Sequence, residues 1–374
     1  MRPSLSPLPI AFFVFGLVWG AWQAVLPDLS GRFDLTTGPL GLMLTAGFAV
    51  SLPVMLGTGR LIDRVGSGPG IAITAVVLAA GLLIVGTLAS LPVLVVGVIV
   101  FTAGSGAFDV AINGAALGDE RWSRPARLTL LHAAFSGGGV AGAIGGGALV
   151  GGGVAFQLVY PLLAAAVVAV AALSFAATWR VTRTDGPVPR GIALGMIPLA
   201  ALAGLAFLVE GSMETWSAIY LRDELGAAAF VGALGPGAFH AAMLIGRLIG
   251  AAVATSLGAP TTLLVSGSMT LAGMVVALAV QVPGIAIVGM AVAALGVSFV
   301  VPVVVSLAGH RAGAHAGRAA SYVLSLGYAG FLIGPSLVGM LGELAGLRVG
   351  LIAIPVAAAV IALASGTRVA HGRS

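Results

Sequence analysis

Twelve apolar runs, each roughly 20 residues or longer, follow one another along this chain. No other feature constrains its fold as strongly. A helix needs about that length to cross the hydrocarbon core of a bilayer, where its backbone groups must be satisfied within the segment itself. The runs fall at about 8–30, 38–58, 70–90, 92–118, 127–151, 154–178, 194–221, 227–250, 260–281, 283–308, 319–340 and 346–367. The first is too long for a secretory signal and has no small-x-small site leading into polar sequence, so it is expected to be a span. Only 8% of the 374 residues are charged, against about 25% in a soluble domain. A soluble enzyme, a disordered chain and a nucleic-acid binder are thereby excluded. The net charge of +5 does not point to DNA, because the basic residues, all arginine, are spread thinly between apolar runs. With no cysteine in the chain, disulfides and thiolate metal sites are excluded as well.

Arginine placement sets an orientation, since short cytoplasmic loops carry the excess of basic residues. With the N-terminus in the cytoplasm and alternating spans, fourteen of the 17 arginines fall inside, Arg247 among them. Only Arg32, Arg222 and Arg348 fall outside. Both termini are therefore expected in the cytoplasm of a cell that carries the protein in its inner or plasma membrane.

The two halves of the chain resemble each other. Trp22-Gln-Ala-Val-Leu matches Trp216-Ser-Ala-Ile-Tyr, Gly66 matches Gly258, Pro92 matches Pro283, and the run from Ser136 to Gly145 matches that from Ser325 to Gly334. These four matches keep their order and nearly their spacing. The expected architecture is an all-α integral membrane protein of twelve transmembrane helices in two six-helix pseudo-repeats. Residues 1–178 form the N-terminal bundle, 179–193 a cytoplasmic linker and 194–374 the C-terminal bundle. Such a repeat places a solute site near the midplane.

The loop Gly59-Arg-Leu-Ile-Asp-Arg-Val-Gly66 resembles the signature loop of the major facilitator superfamily. Asp109-Val-Ala-Ile-Asn113 and the stretch from Glu210 to Asp223 resemble its bacterial YbjJ-like branch. The resemblance covers the whole chain and implies the major facilitator fold. It also implies a gating latch in which Asp63, with Arg64 beside it, meets a helix-end arginine, Arg121 or Arg124. The chain departs from the pattern where Ser67-Gly68 replaces the terminal basic pair. Thr255 and Ser256 stand at the second-half equivalents of Asp63 and Arg64. The fifth helix has Gly145-Gly146 in place of an antiporter Gly-Pro motif, and Gly334-Pro335 lies in the eleventh helix.

Few ionisable groups remain once loop charges are set aside. A charge at the bilayer centre costs about 2.5–3.5 kcal/mol on insertion scales, so these residues are expected to face a cavity or a partner. Glu210 and Glu214 share one face of the seventh helix, and Glu210 lies roughly 20 Å along it at 1.5 Å per residue. Two carboxylates so close in a low dielectric cannot both ionise cheaply, as a proton carrier requires; Glu214 near the outer surface and Glu210 bonded to a neighbouring helix is the plainer reading. Asp109, Asn113 and His132 form a second constellation on the fourth and fifth helices, either a proton relay or an interhelical clamp. His240 reads as a packing residue. The glycines from Gly137 to Gly153 read as close packing or as a smooth sliding face.

Trp19, Trp22, Gln23, Tyr160, Trp216, Tyr322, Ser325 and Tyr328 are candidate lining of a solute site, while Tyr220 reads as an interfacial anchor. Aromatic planes with few charges suit a neutral, amphipathic or cationic solute. With no basic residue expected near the midplane, a polyanion is disfavoured.

The function expected is secondary active transport of a small organic solute by alternating access, coupled to protons through Glu210, Glu214, Asp109 and His132. A facilitator or symporter for a sugar or small metabolite is the alternative. A polytopic enzyme or receptor is disfavoured, because no His-Glu-x-x-His cluster, nucleophile elbow or nucleotide loop occurs. No cofactor or metal is called for. The partners expected are a solute, protons and lipid, with the chain acting as a monomer.

Overall fold

The computed structural model describes residues 7–119, 125–175, 190–367 and 369–370. Among them twelve helices are long and apolar enough to cross a membrane. The first six are α1 Leu8–Arg32, α2 Thr37–Val65, α3 Ser67–Gly86, α4 Leu91–Gly118, α5 Arg127–Gly151 and α6 Phe156–Phe175. The second six are α7 Ala193–Glu224, α8 and α9 along the helical run Ala229–Ala279 and divided at Gly258, α10 Pro283–Ala312, α11 Arg318–Ala345 and α12 Leu347–Ala364. The chain divides into two compact units. One holds the residues up to Asp34 and those from Leu42 to the end of α6. The other holds Leu35–Gly41 and everything from α7 onward.

The repeat is written in the backbone. Gly66 breaks the chain between α2 and α3 at φ 89°, and Gly258 breaks the helical run Ala229–Ala279 at φ 73°. Only glycine enters that region without a steric cost. Gly153 before α6 and Gly346 before α12 form a second such pair, at φ 88° and φ 90°. The Gly258 break shows that helical structure continues past the expected end of the eighth run at 250, so Thr255 and Ser256 close a helix as Asp63 and Arg64 do.

Packing repeats too. In the first unit α1 lies along α5, and α3 along α4 and α6; in the second α7 lies along α11, and α9 along α10 and α12. The α3–α4 contact is made where Gly81 meets Phe101, Gly97 meets Val85 and Gly104 meets Leu78. In the second unit Gly273 meets Ala293, Gly289 meets Ala277 and Gly296 meets Thr270, each residue 192 positions after its counterpart. Missing side chains let the two backbones approach, the usual device for helix association in lipid.

The glycines of α5 serve the same end. A Cβ at Gly138 or Gly142 would collide with the carbonyls of Phe13 and Leu17 on α1, whereas Gly137 and Gly145 have open space around them. This stripe packs inside the first unit.

The start of α2 is held on α11 by Glu343. Its carboxylate accepts bonds from the Thr36 hydroxyl at 3.1 Å and the Gly38 N–H at 2.9 Å, and the Ser336 hydroxyl donates to the Gly41 carbonyl at 3.2 Å. Glu343 stands between the eleventh and twelfth apolar runs, and its role is visible only once Leu35–Gly41 and α11 are brought together.

Candidate functional site

The ionisable residues inside the second unit converge from three helices. α7 presents Phe207, Glu210 and Glu214 at spacings of three and four, hence on one face. Glu210 is buried and Glu214 half-buried. α8 brings Arg247, also half-buried, whose charge acts on both carboxylates and on the phenol of Tyr328. Tyr328 lies midway along α11, where the backbone stays helical at φ −56° and ψ −18° and its N–H bonds the Leu324 carbonyl at 2.9 Å.

An aromatic shelf borders the charges. The rings of Phe207 and Tyr328 lie 4.9 Å apart, and those of Phe207 and Phe331 stack at 5.1 Å. Gly211 lets the Phe331 ring lie close against α7. Tyr322, Ser325 and Tyr328 keep partial or full exposure along α11, as lining would.

Arg247 overturns two sequence expectations. It is not a cytoplasmic loop arginine, since α8 runs on helically to Gly258, and it supplies the basic group that was expected to be missing from the interior. The signal was present: Met-Leu-Ile-Gly-Arg-Leu-Ile-Gly places the arginine within an uninterrupted apolar run. Four of the lining candidates, Trp22, Gln23, Tyr160 and Trp216, are buried. Trp216 is fully buried and donates its indole N–H to the Pro335 carbonyl at 3.2 Å. Tyr160 is fully buried between Trp22 and Phe156, and Gln23 is buried in α1. Tyr220 is no surface anchor: it is buried, and its hydroxyl donates to the Ala277 carbonyl at 3.2 Å. His240 is buried with its ring edge on Phe239 and lies within electrostatic reach of Arg247.

In the first unit the Asn113 amide donates to the Asp109 carboxylate at 2.9 Å and to the Asp109 carbonyl at 3.0 Å, one turn away on α4. His132 is directed to a neighbour on α1, where its ring meets Phe12 edge-on at 5.4 Å. Trp19 is half-buried, stacked with Phe48 at 6.1 Å, and Trp22 stacks on Phe101 at 4.5 Å. Asp63 and Arg64 are exposed at the end of α2. Arg121 and Arg124 lie outside the described residues.

A bundle of twelve membrane-length helices with charge buried inside it is the architecture of a membrane transporter. An uncharacterized MFS-type transporter of Yersinia pestis is 32% identical over 350 residues, covering 91% of this chain and 89% of that protein. The chain belongs to the major facilitator superfamily of transporters, whose members are not enzymes. No protein-family model matches it. The fold is that of a bacterial homologue of the human lysosomal transporter Spinster in an inward-facing, occupied conformation, with TM-score 0.77, 14% identity and coverage of 96% of this chain and 94% of that one. It is shared with the E. coli fucose:proton symporter, with TM-score 0.64, 17% identity and coverage of 96% and 97%.

Proposed function

We propose that this protein is a proton-coupled secondary transporter of a small organic solute, working by alternating access, with Glu210 and Glu214 carrying the proton. The observation behind this reading is the meeting of two carboxylates on one face of α7 with one guanidinium on α8. Buried charge of this kind is costly and marks an ion or solute path. Coupling to protons has a precedent in the fold, in the fucose:proton symporter.

Tyr322, Ser325, Tyr328, Trp19 and Asn113 are the lining residues of this reading, and Asp109 with Asn113 is a secondary polar station. Asp63 and Arg64 form the cytoplasmic gate, with Arg121 or Arg124 as partner. The chain is a monomer of the YbjJ-like branch in the bacterial inner membrane, with both termini cytoplasmic. A facilitator or symporter for a sugar or small metabolite on the same fold is the second reading, with the fucose symporter as a precedent.

The test begins with a thermal-shift screen of solutes on the purified protein, since a ligand of the native state raises its melting temperature. The hit is then followed in proteoliposomes under an imposed pH gradient. Glu210→Gln should abolish gradient-driven accumulation and leave solute exchange largely intact. Accumulation by the variant against a gradient would remove Glu210 as the carrier.

A further inference from the structure

The charges around Glu210 do not balance. Glu210 and Glu214 bring two negative charges, and Arg247 brings one positive charge within electrostatic reach of both. No other helix of the unit supplies the difference. α9 has no ionisable side chain, α10 has only His310 and Arg311 at its far end, and α12 has only Arg348 in its first turn. α11 adds Arg318, Tyr322, Tyr328 and Glu343, of which Tyr328 faces the cluster. His240 on α8 is buried within electrostatic reach of Arg247 and is counted as neutral. With both carboxylates ionised, one negative charge is left over in a place where uncompensated charge is expensive.

One monovalent cation, or one proton, restores neutrality; both together do not. Beside the surplus charge stands the shelf of Phe207, Tyr328 and Phe331, whose ring faces attract a cation electrostatically and apolar surface by contact. We infer that this site takes a monovalent organic cation, an amine joined to a ring or flat apolar face, in exchange for one proton, so that the protein is a proton/organic-cation antiporter. The inference rests on the reading of Glu210 and Glu214 as the coupling pair. The ammonium group takes the place of the proton at the carboxylates, the ring lies on the shelf, and Arg247 holds the remaining charge balanced through the exchange. Affinity for the cation therefore rises with pH, as the competing proton leaves.

The test uses the purified full chain with matched probes: benzylammonium and naphthylmethylammonium, their alcohols, and the corresponding carboxylates. Thermal stabilisation reads binding, and a pH indicator in weakly buffered solution reads proton release. The ammonium probes should stabilise the protein and release about one proton per cation bound, while the alcohols and carboxylates do neither. Glu214→Gln removes the surplus charge and should weaken ammonium binding by at least about tenfold, which is 1.4 kcal/mol. The double variant Glu214→Gln/Arg247→Gln has one surplus negative charge again and should recover binding.

Equal stabilisation by the alcohols or carboxylates overturns the inference, as does absence of ammonium binding or of proton release in the wild-type protein. These wild-type measurements decide the matter even if a variant does not fold. A folded double variant that fails to recover binding also counts against it. The two readings fail differently. A neutral or anionic solute driven by a pH gradient leaves proton coupling standing and ends the antiport inference. Ammonium flux indifferent to the pH gradient ends the coupling itself.

Discussion

The two six-helix units share their mechanics and differ in their chemistry. Gly66 and Gly258 turn the chain with nearly the same backbone angles, and three glycine contacts between α3 and α4 recur residue for residue between α9 and α10. Yet α4 runs unbroken through Asp109, whose carboxylate is satisfied by Asn113 on its own helix. In the second unit the α7 carboxylates look across to another helix for their counter-charge. A duplicated fold can keep its packing in both copies and concentrate ion chemistry in one. An acid satisfied within its own helix is fixed whatever its neighbours do, whereas an acid balanced by a group on another helix responds when that helix, a proton or a solute moves.

The largest expected effect bears on this difference. Glu210→Gln should eliminate pH-driven accumulation, whereas Asp109→Asn should reduce the transport rate only partially, measured side by side in proteoliposomes. Equal losses would mean that the first unit shares the coupling and that the asymmetry is one of geometry alone.

Packing gives the next effect. Gly138→Ala and Gly142→Ala push a methyl group into the α1 backbone and should destabilise the protein by about 1–3 kcal/mol, the usual range for overpacking. Gly137→Ala and Gly145→Ala, on the open side of the same helix, should be neutral or stabilising by up to about 1 kcal/mol, because alanine is the better helix former. Melting temperatures in detergent separate the pairs. A similar fall for all four would mean that the whole stripe is under packing constraint.

The hinges come third. Gly66→Ala and Gly258→Ala each force a Cβ into the positive-φ, extended-ψ region that is essentially glycine-only, at a cost of about 1–3 kcal/mol. If the units are mechanical copies, the two melting-temperature losses should agree. A much larger loss at one hinge would show that its unit depends on the turn for more than chain reversal.

Much of this fold was legible because lipid leaves few choices. Twelve long apolar runs can only be helices, and a matched glycine such as Gly66/Gly258 announces a repeated turn. Side-chain direction was not legible. Trp216 and Tyr160 read as lining by residue type, but helix rotation turns both inward. Arg247 reads as a loop residue in sequence because the eighth apolar run ends near 250, about eight residues before the Gly258 break that closes α8. Counting arginines for topology treats each as a loop marker, so a buried one is hidden by the rule itself. Glu343 was passed over because its partners, Thr36 and Gly38, lie some three hundred residues away in sequence.

The smallest effect concerns the polar station of the first unit. Its depth along α4 allowed two partners for Asp109, His132 on α5 or Asn113 one turn away. The structure supplies the second bond at 2.9 Å and turns His132 to Phe12 on α1. In double-variant cycles of thermal stability, Asp109→Asn with Asn113→Ala should therefore show a coupling of about 0.5–1.5 kcal/mol, the range of one hydrogen bond. Asp109→Asn with His132→Gln should be additive to within about 0.3–0.5 kcal/mol, as for residues that do not interact. Strong coupling to His132 would restore the interhelical relay and give the first unit a proton route of its own. Coupling to Asn113 alone leaves Asp109 a residue of α4, fixed by local geometry, and the exchange of protons to the carboxylates of α7.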